Sequence, residues 1–276
     1  MQPRIAVPQP HSNTEYAQKV MPSYVHAVEM AGGVAGEIPL ALTNVEIMRL
    51  LMTCDGVLLP GSRADVNPEK YGQARQPETH DADPLRDNVD ELLLQDAYNM
   101  RKPILAICFG TQILNVWRTG TLLQHVNTGV QHAGNPNLRH AARIERGSWL
   151  EEILTQASQQ PTLRSGNDGA QDFVVNVNTS HHQAVDTPGD GLRIVARSTE
   201  DEVVEALEST DRDHFVIALQ WHPERLVDDA DPAVREQSRA LFAALVEAAR
   251  QWHRHPRTPE QADFETIEKG ARTSKK

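Results

Sequence analysis

The chain has 276 residues, a formal net charge of −11 and only two cysteines, Cys54 and Cys108. The length suffices for one sizeable α/β core or two small domains. The acidic balance leaves no basic stripe to neutralise phosphates, which argues against general nucleic-acid binding. The cysteines form no disulfide framework, and no apolar run reaches membrane-spanning length. With no apolar leader legible at the N-terminus, a reducing cytoplasm is the expected setting, with no membrane partner.

In chain order, Arg4 to Val7 reads as a first strand, and a helix is expected from about Ser23 to the Gly32-Gly33 pair. Ile38 to Leu40 begins the next βα unit. Thr43 and Glu46 make a capping-box pattern ahead of Val45, Ile47, Met48 and Leu51, and Cys54 beyond them reads as packing. Val57 to Leu59 is a short strand ending in the turn Pro60-Gly61-Ser62, and Asp87 to Met100 is a helix. The apolar run of residues 103–107 is a strand, and Thr111 to Trp117 has helical spacing. Val126 to Asn137 reads as a loop, Phe173 to Val177 as a strand, and Arg193 to Ser198 with Val203 to Glu208 as a hairpin. A strand from Phe215 precedes His222, and Pro232 to Trp252 forms a final helix. Residues 1–252 are expected to form the catalytic domain, and residues 253–276 a disordered polar tail. Alternating strands and helices point to a mostly parallel sheet covered on both faces, with functional loops at the carboxyl ends of its strands.

Two segments carry chemistry. In Ala106-Ile-Cys-Phe-Gly110 a strand hands a thiol to a helix, flanked by small residues, as a nucleophile elbow requires. The helix N-terminus favours thiolate there. A buried cysteine inside an apolar run is the alternative. In Gln220-Trp-His-Pro-Glu224 a strand ends at His222, with Glu224 two residues on and Pro223 keeping the segment extended, so both side chains point the same way. A nucleophilic Cys needs a base, and the base needs an orienting group; His222 and Glu224 can supply both. As an isolated tripeptide, His-Pro-Glu also reads as a polar turn. Gly61 lets backbone N–H groups approach a ligand, and its N–H with that of Phe109 makes a candidate oxyanion hole for a chemistry centred on Cys108. Gln112, four residues beyond Cys108, shares its helix face; an exposed polar residue is the competing reading. Adjacent His181 and His182 suggest metal, but neighbours on a loop seldom chelate one ion and no convergent ligand spacing is visible, so neither metal nor cofactor is expected.

Together with Leu58-Leu-Pro-Gly-Ser62, Asp65-Val-Asn-Pro68, Tyr71-Gly72, Arg86-Asp87, Leu114-Asn-Val116, Gly120-Thr-Leu122 and Val177-Asn-Thr-Ser-His-His-Gln-Ala-Val185, these segments resemble the class I glutamine amidotransferase-like superfamily, over roughly residues 4–250. Within it the chain resembles the γ-glutamyl-γ-aminobutyrate hydrolases of the peptidase C26 type. The resemblance implies a flavodoxin-like three-layer α/β sandwich with a mostly parallel central sheet. It implies a Cys108–His222–Glu224 triad, an oxyanion hole of Gly61 and Phe109, and a glutamyl pocket touched by Gln112, Ser180, His181 and His182. The implied partner is a small γ-glutamyl substrate, with a polyamine-derived amine among the possible leaving groups; a homo-oligomer is compatible with the sequence. Rival readings are a glutaminase feeding ammonia to a synthetase partner, and a non-catalytic regulator that binds γ-glutamyl metabolites. The chain departs from the resemblance at Phe109, where arginine is usual, which takes a cation from the expected pocket rim. It departs also at Ala106 and Thr119, which replace glycines and are tolerable if φ there stays negative.

Overall fold

The computed structural model describes residues 2–135, 138–157, 163–165 and 171–254. Its elements run β1 (Arg4–Pro8), α1 (Thr14–Met30), β2 (Val34–Ile38), α2 (Asn44–Leu51), β3 (Gly56–Leu59), α3 (Pro84–Met100), β4 (Ile104–Ile107) and α4 (Phe109–Trp117). They continue with β5 (Leu122–Leu123), β6 (Arg139–Ile144), α5 (Trp149–Ala157), β7 (Leu163–Ser165), β8 (Gln171–Asn178), β9 (Ala184–Val185), β10 (Leu192–Ser198), β11 (Val204–Ser209), β12 (Val216–Leu219) and α6 (Pro232–Arg254).

Among the described residues ten strands form one sheet in the order β2-β1-β3-β4-β12-β11-β10-β6-β8-β7. The first five of that order are parallel and the rest antiparallel. Strands β3, β4 and β12 of the parallel half are buried along their whole length, which is why they read as unbroken apolar runs. Alternate residues serve opposite layers. Val7, Leu105, Ile107, Ile217 and Leu219 pack with Met21 and Val28 of α1 and Phe242 and Leu245 of α6. Ala6, Ile104, Ala106, Val216 and Ala218 pack with Ile47 of α2, Leu93 of α3 and Leu114 of α4. The result is a helix–sheet–helix sandwich whose parallel half has the flavodoxin-like strand order β2-β1-β3-β4-β12.

Several boundaries differ from the sequence reading for identifiable reasons. Helix α1 begins at Thr14, not near Ser23, because Asn13 caps it by accepting the Tyr16 N–H. Burial of Ala17, Met21 and Tyr24 then carries the helix through Pro22 despite the missing donor. Asp83 caps α3 with Pro84 at its first turn, so that helix starts before Asp87. The Thr43–Glu46 capping box is present. Cys54 is buried with its thiol directed at Leu50 O, and burial raises its pKa. In the β10–β11 hairpin the left-handed position that glycine would fill belongs to Glu202, at φ 60°. Helix α6 runs to Arg254, two residues into the expected tail; residues 255–276, like 136 and 137 of the expected loop, lie outside the described residues. Strand β6 and helix α5 carry patterns too short and mixed for the sequence reading to assign.

Candidate active site

Strands β3, β4 and β12 are adjacent and parallel, so their carboxyl ends bring Gly61, Cys108 and His222 to one edge of the sheet. Cys108 sits between β4 and α4 at φ 52° and ψ −106°, a strained combination of angles for a non-glycine residue, as a tightly held elbow imposes. Gly110 is obligatory beside it: an added Cβ would lie 2.4 Å from Leu59 O, a backbone atom that cannot yield. Phe109 opens α4, so its N–H has no acceptor within the helix.

His222 is buried, and its Nδ1 stands 2.8 Å from Glu224 Oε1. Burial by itself would lower the imidazole pKa, but the Glu224 charge and then the nearby Cys108 side chain outweigh burial and raise it to about 9. Glu224 is buried too; burial pushes its carboxyl up, while His222 and Arg225 more than offset this and leave it below the ordinary value. The backbone of His222 is clamped by Asn178, whose Oδ1 accepts the His222 N–H at 2.8 Å and whose Nδ2 donates to His222 O at 2.9 Å. Asn178 appeared in the sequence only as part of a motif; its pairing spans two strands that are not neighbours and leaves no local signal.

Gly61 lies against the site, since a Cβ there would meet His222 Cε1 at 2.8 Å and Cys108 Cβ at 3.5 Å. Its N–H donates to Tyr24 Oη at 3.0 Å, so a tyrosine hydroxyl occupies this candidate oxyanion donor. Burial first, then the Glu224 charge, holds the Tyr24 hydroxyl well above its ordinary pKa. Nothing in the spacing of α1 marked Tyr24. Arg86, fully buried, donates to both carboxylate oxygens of Asp90 at 2.8 Å, to Pro10 O at 3.0 Å and to Pro60 O at 2.8 Å, which fixes the turn before Gly61. Its guanidinium lies 5.2 Å from the Phe109 ring centroid. Phe109 is only 1% exposed, so its side chain packs into the core under Arg86, away from the pocket rim from which the sequence reading expected a cation to be missing.

The other sequence candidates separate. Gln112 is buried, its Nε2 reaching Gln183 O at 3.1 Å and Gln220 Oε1 at 3.3 Å, which rules out the exposed reading. Ser180 is exposed. His181 turns inward: Nδ1 pairs with Gln183 O at 2.9 Å and Nε2 lies 3.6 Å from the buried Glu205. His182 is half-buried and pairs with Asp65. Thus His181 faces inward while Ser180 and His182 lie toward the outside, because successive side chains of an extended segment point to opposite sides. Cavities of about 450 and 380 Å³ lie elsewhere and contain neither Cys108 nor His222, so side-chain geometry and not cavity size marks this site.

Residues 5–224 match the peptidase C26 family. The chain belongs to that family. It is 34% identical over 231 residues to a Mycobacterium tuberculosis protein provisionally named a glutamine amidotransferase, covering 82% of this chain and 66% of that one. It is 32% identical over 219 residues to the γ-glutamyl-γ-aminobutyrate hydrolase PuuD of Escherichia coli K12, covering 75% of this chain and 79% of that enzyme. A solved structure from Thermoplasma acidophilum, provisionally assigned to GMP synthase, aligns with a TM-score of 0.56 at 14% identity over 92% of this chain and 99% of that one, a likeness of fold alone. Family and relatives support a hydrolase. Among the described residues no helix is long and apolar enough to cross a membrane.

Proposed function

We propose that this C26 member hydrolyses the γ-glutamyl amide bond of a γ-glutamyl amine or amino acid through a γ-glutamyl thioester. The carrying observation is the buried Glu224–His222 pair, 2.8 Å apart, with His222 set beside a thiol on a strained elbow. Cys108 Sγ attacks the γ-carbonyl carbon, and the carbonyl electrons move to oxygen, which the Phe109 N–H stabilises. The Gly61 N–H joins it once substrate displaces the Tyr24 hydroxyl. His222, protonated by the thiol, gives that proton to the departing amine as the C–N bond breaks. It then takes a proton from water, whose oxygen attacks the thioester; the collapse releases glutamate and returns the proton to sulfur. Glu224 keeps Nδ1 protonated, so that Nε2 carries the exchange. Gln112, held by Gln183 and Gln220, borders the same edge and suits contact with the glutamyl group.

The test is glutamate release from γ-glutamyl-γ-aminobutyrate, other γ-glutamyl amines, polyglutamate and glutamine by the intact protein and by Cys108→Ala. Release from a γ-glutamyl amine that falls at least about 10³-fold in the variant is the expected result. Release from glutamine alone would point instead to an ammonia-supplying glutaminase with a synthetase partner. Silence from folded protein across the whole panel would overturn the enzyme reading in favour of a γ-glutamyl-metabolite-binding regulator.

A further inference from the structure

The adjacent histidines of the chain meet partners that lie far away in sequence. Asp65, buried on the segment after β3, places Oδ1 3.0 Å from His182 Nε2 and 3.9 Å from His80 Nδ1, while its Oδ2 accepts the His80 backbone N–H at 2.7 Å. The His80 and His182 ring centroids are 4.5 Å apart, and a further imidazole, His125, lies 5.9 Å from that of His182. One donor atom from each of Asp65, His80 and His182 falls within 4.8 Å of the others. Ligand atoms around a tetrahedral Zn²⁺ stand about 3.3 Å apart, so small side-chain rotations close the set.

The frame behind these donors is already tied. Gln124 is buried, and its Oε1 accepts from Gln76 N at 3.0 Å and Thr79 Oγ1 at 2.7 Å, while its Nε2 donates to Ala74 O at 2.9 Å. Its backbone carbonyl accepts from Gln183 Nε2 at 3.1 Å, and Val126 N donates to His182 O at 2.7 Å. One glutamine therefore links the segments carrying His80, His125 and His182, and such rigid backing is what a metal site requires. Asp65 is buried, His182 half-buried and His80 and His125 exposed, which leaves a way in from solvent.

We propose that Asp65, His80 and His182, with His125 as a further donor, bind a divalent transition-metal ion of the Zn²⁺ class. Imidazole and carboxylate donors without a thiol suit Zn²⁺, Co²⁺ or Ni²⁺, whereas Mg²⁺ and Ca²⁺ take oxygen ligands. The Asp65 carboxylate inside the cluster disfavours an anion. The other such grouping among the described residues, His132, His140 and Glu205, is a weaker candidate: it is wholly buried, and both His132 nitrogens are taken, by Thr179 Oγ1 at 3.2 Å and Asp201 at 2.8 Å. The site is independent of the chemistry assigned to Cys108. A bound ion cross-links the segment after β3, the segment before α3 and the turn before β9.

The test titrates metal-free protein with Co²⁺, reading its visible d–d bands, and competes with Zn²⁺. Because Cys108 and His222 offer a rival thiol–imidazole pair, the parent for the titration is Cys108→Ala. One equivalent is expected to bind, with Zn²⁺ raising the melting temperature of that protein. Affinity should fall by about 10-fold or more in His80→Ala and in His182→Ala, each made in that parent. It should hold in His26→Ala, which removes an exposed His–carboxylate pair lacking a third donor. His80 is exposed, so its variant remains folded and decides the matter even where the His182 variant does not. Absence of binding in Cys108→Ala, or binding unchanged by His80→Ala, would overturn the site.

Discussion

At the scale of single residues, the chemistry turns on how His222 keeps a proton. Desolvation works against the imidazolium, and the Glu224 carboxylate at 2.8 Å, together with Cys108, wins, holding the pKa at about 9. The acid step, proton delivery to the leaving amine, therefore fails as pH rises through about 9, and acylation should decline above it. Removing the opposing charge removes the main support for that value. In Glu224→Gln the alkaline limb of the kcat/KM profile is expected to move to lower pH; a limb that stays put would mean that Glu224 does not hold the proton on His222. That His222 and Glu224 would pair was legible from their i, i+2 spacing around a proline. That Tyr24 would occupy the Gly61 N–H was not, since a helix residue of α1 meets a turn of β3 only through the packing of one layer on another.

At the scale of elements, helix α4 shows where local rules were correct and where they were overridden. Its N-terminus was legible, because Gly110 and the preceding strand leave no other way to turn the chain. Its C-terminal exit was not: Thr119 was tolerable only at negative φ, and its φ is 72°, in the left-handed region. The hydrogen bonds Thr119 N to Val116 O at 2.9 Å and Gly120 N to Asn115 O at 2.8 Å impose it. Asn115 also holds Gly189 N at 2.8 Å and Thr187 O at 3.0 Å, so the exit is locked by tertiary partners at the expense of a β-branched residue's backbone preference. Relief of that strain outweighs the extra chain entropy of glycine, and Thr119→Gly should stabilise the protein by roughly 0.5–1 kcal/mol. Denaturant unfolding checks this: the midpoint should rise with the slope unchanged, and a lowered midpoint would show that the threonine side chain contributes more than its backbone costs.

At the scale of the whole molecule, the buried pair links catalysis to stability. The folded pKa of His222 lies above its ordinary 6.5, so its contribution is fully present below about pH 6.5 and is lost as pH rises toward 9. Glu224 has a lowered folded pKa, so its share is present above the ordinary carboxylate value and is lost as pH falls. Thermal unfolding should therefore occur at lower temperature at pH 9 than at pH 7, and His222→Gln should flatten that dependence. An equal slope in the variant would assign the effect to other groups.

The division between sequence and tertiary structure follows from the range of the forces involved. Periodicity, turn residues and capping are local, and they suffice to read the parallel α/β layers, the elbow at Cys108 and the His222-Pro-Glu224 pair from the chain alone. Burial and long-range pairing are not local. Whether Phe109 faces a pocket or the core depends on Arg86, and which way His181 and His182 point depends on Glu205 and Asp65. The cluster of Asp65, His80 and His182 was invisible for the same reason: ligand spacing along the chain is a signal only when one element carries the set, and here separate loops do, drawn together by the strand order and by Gln124.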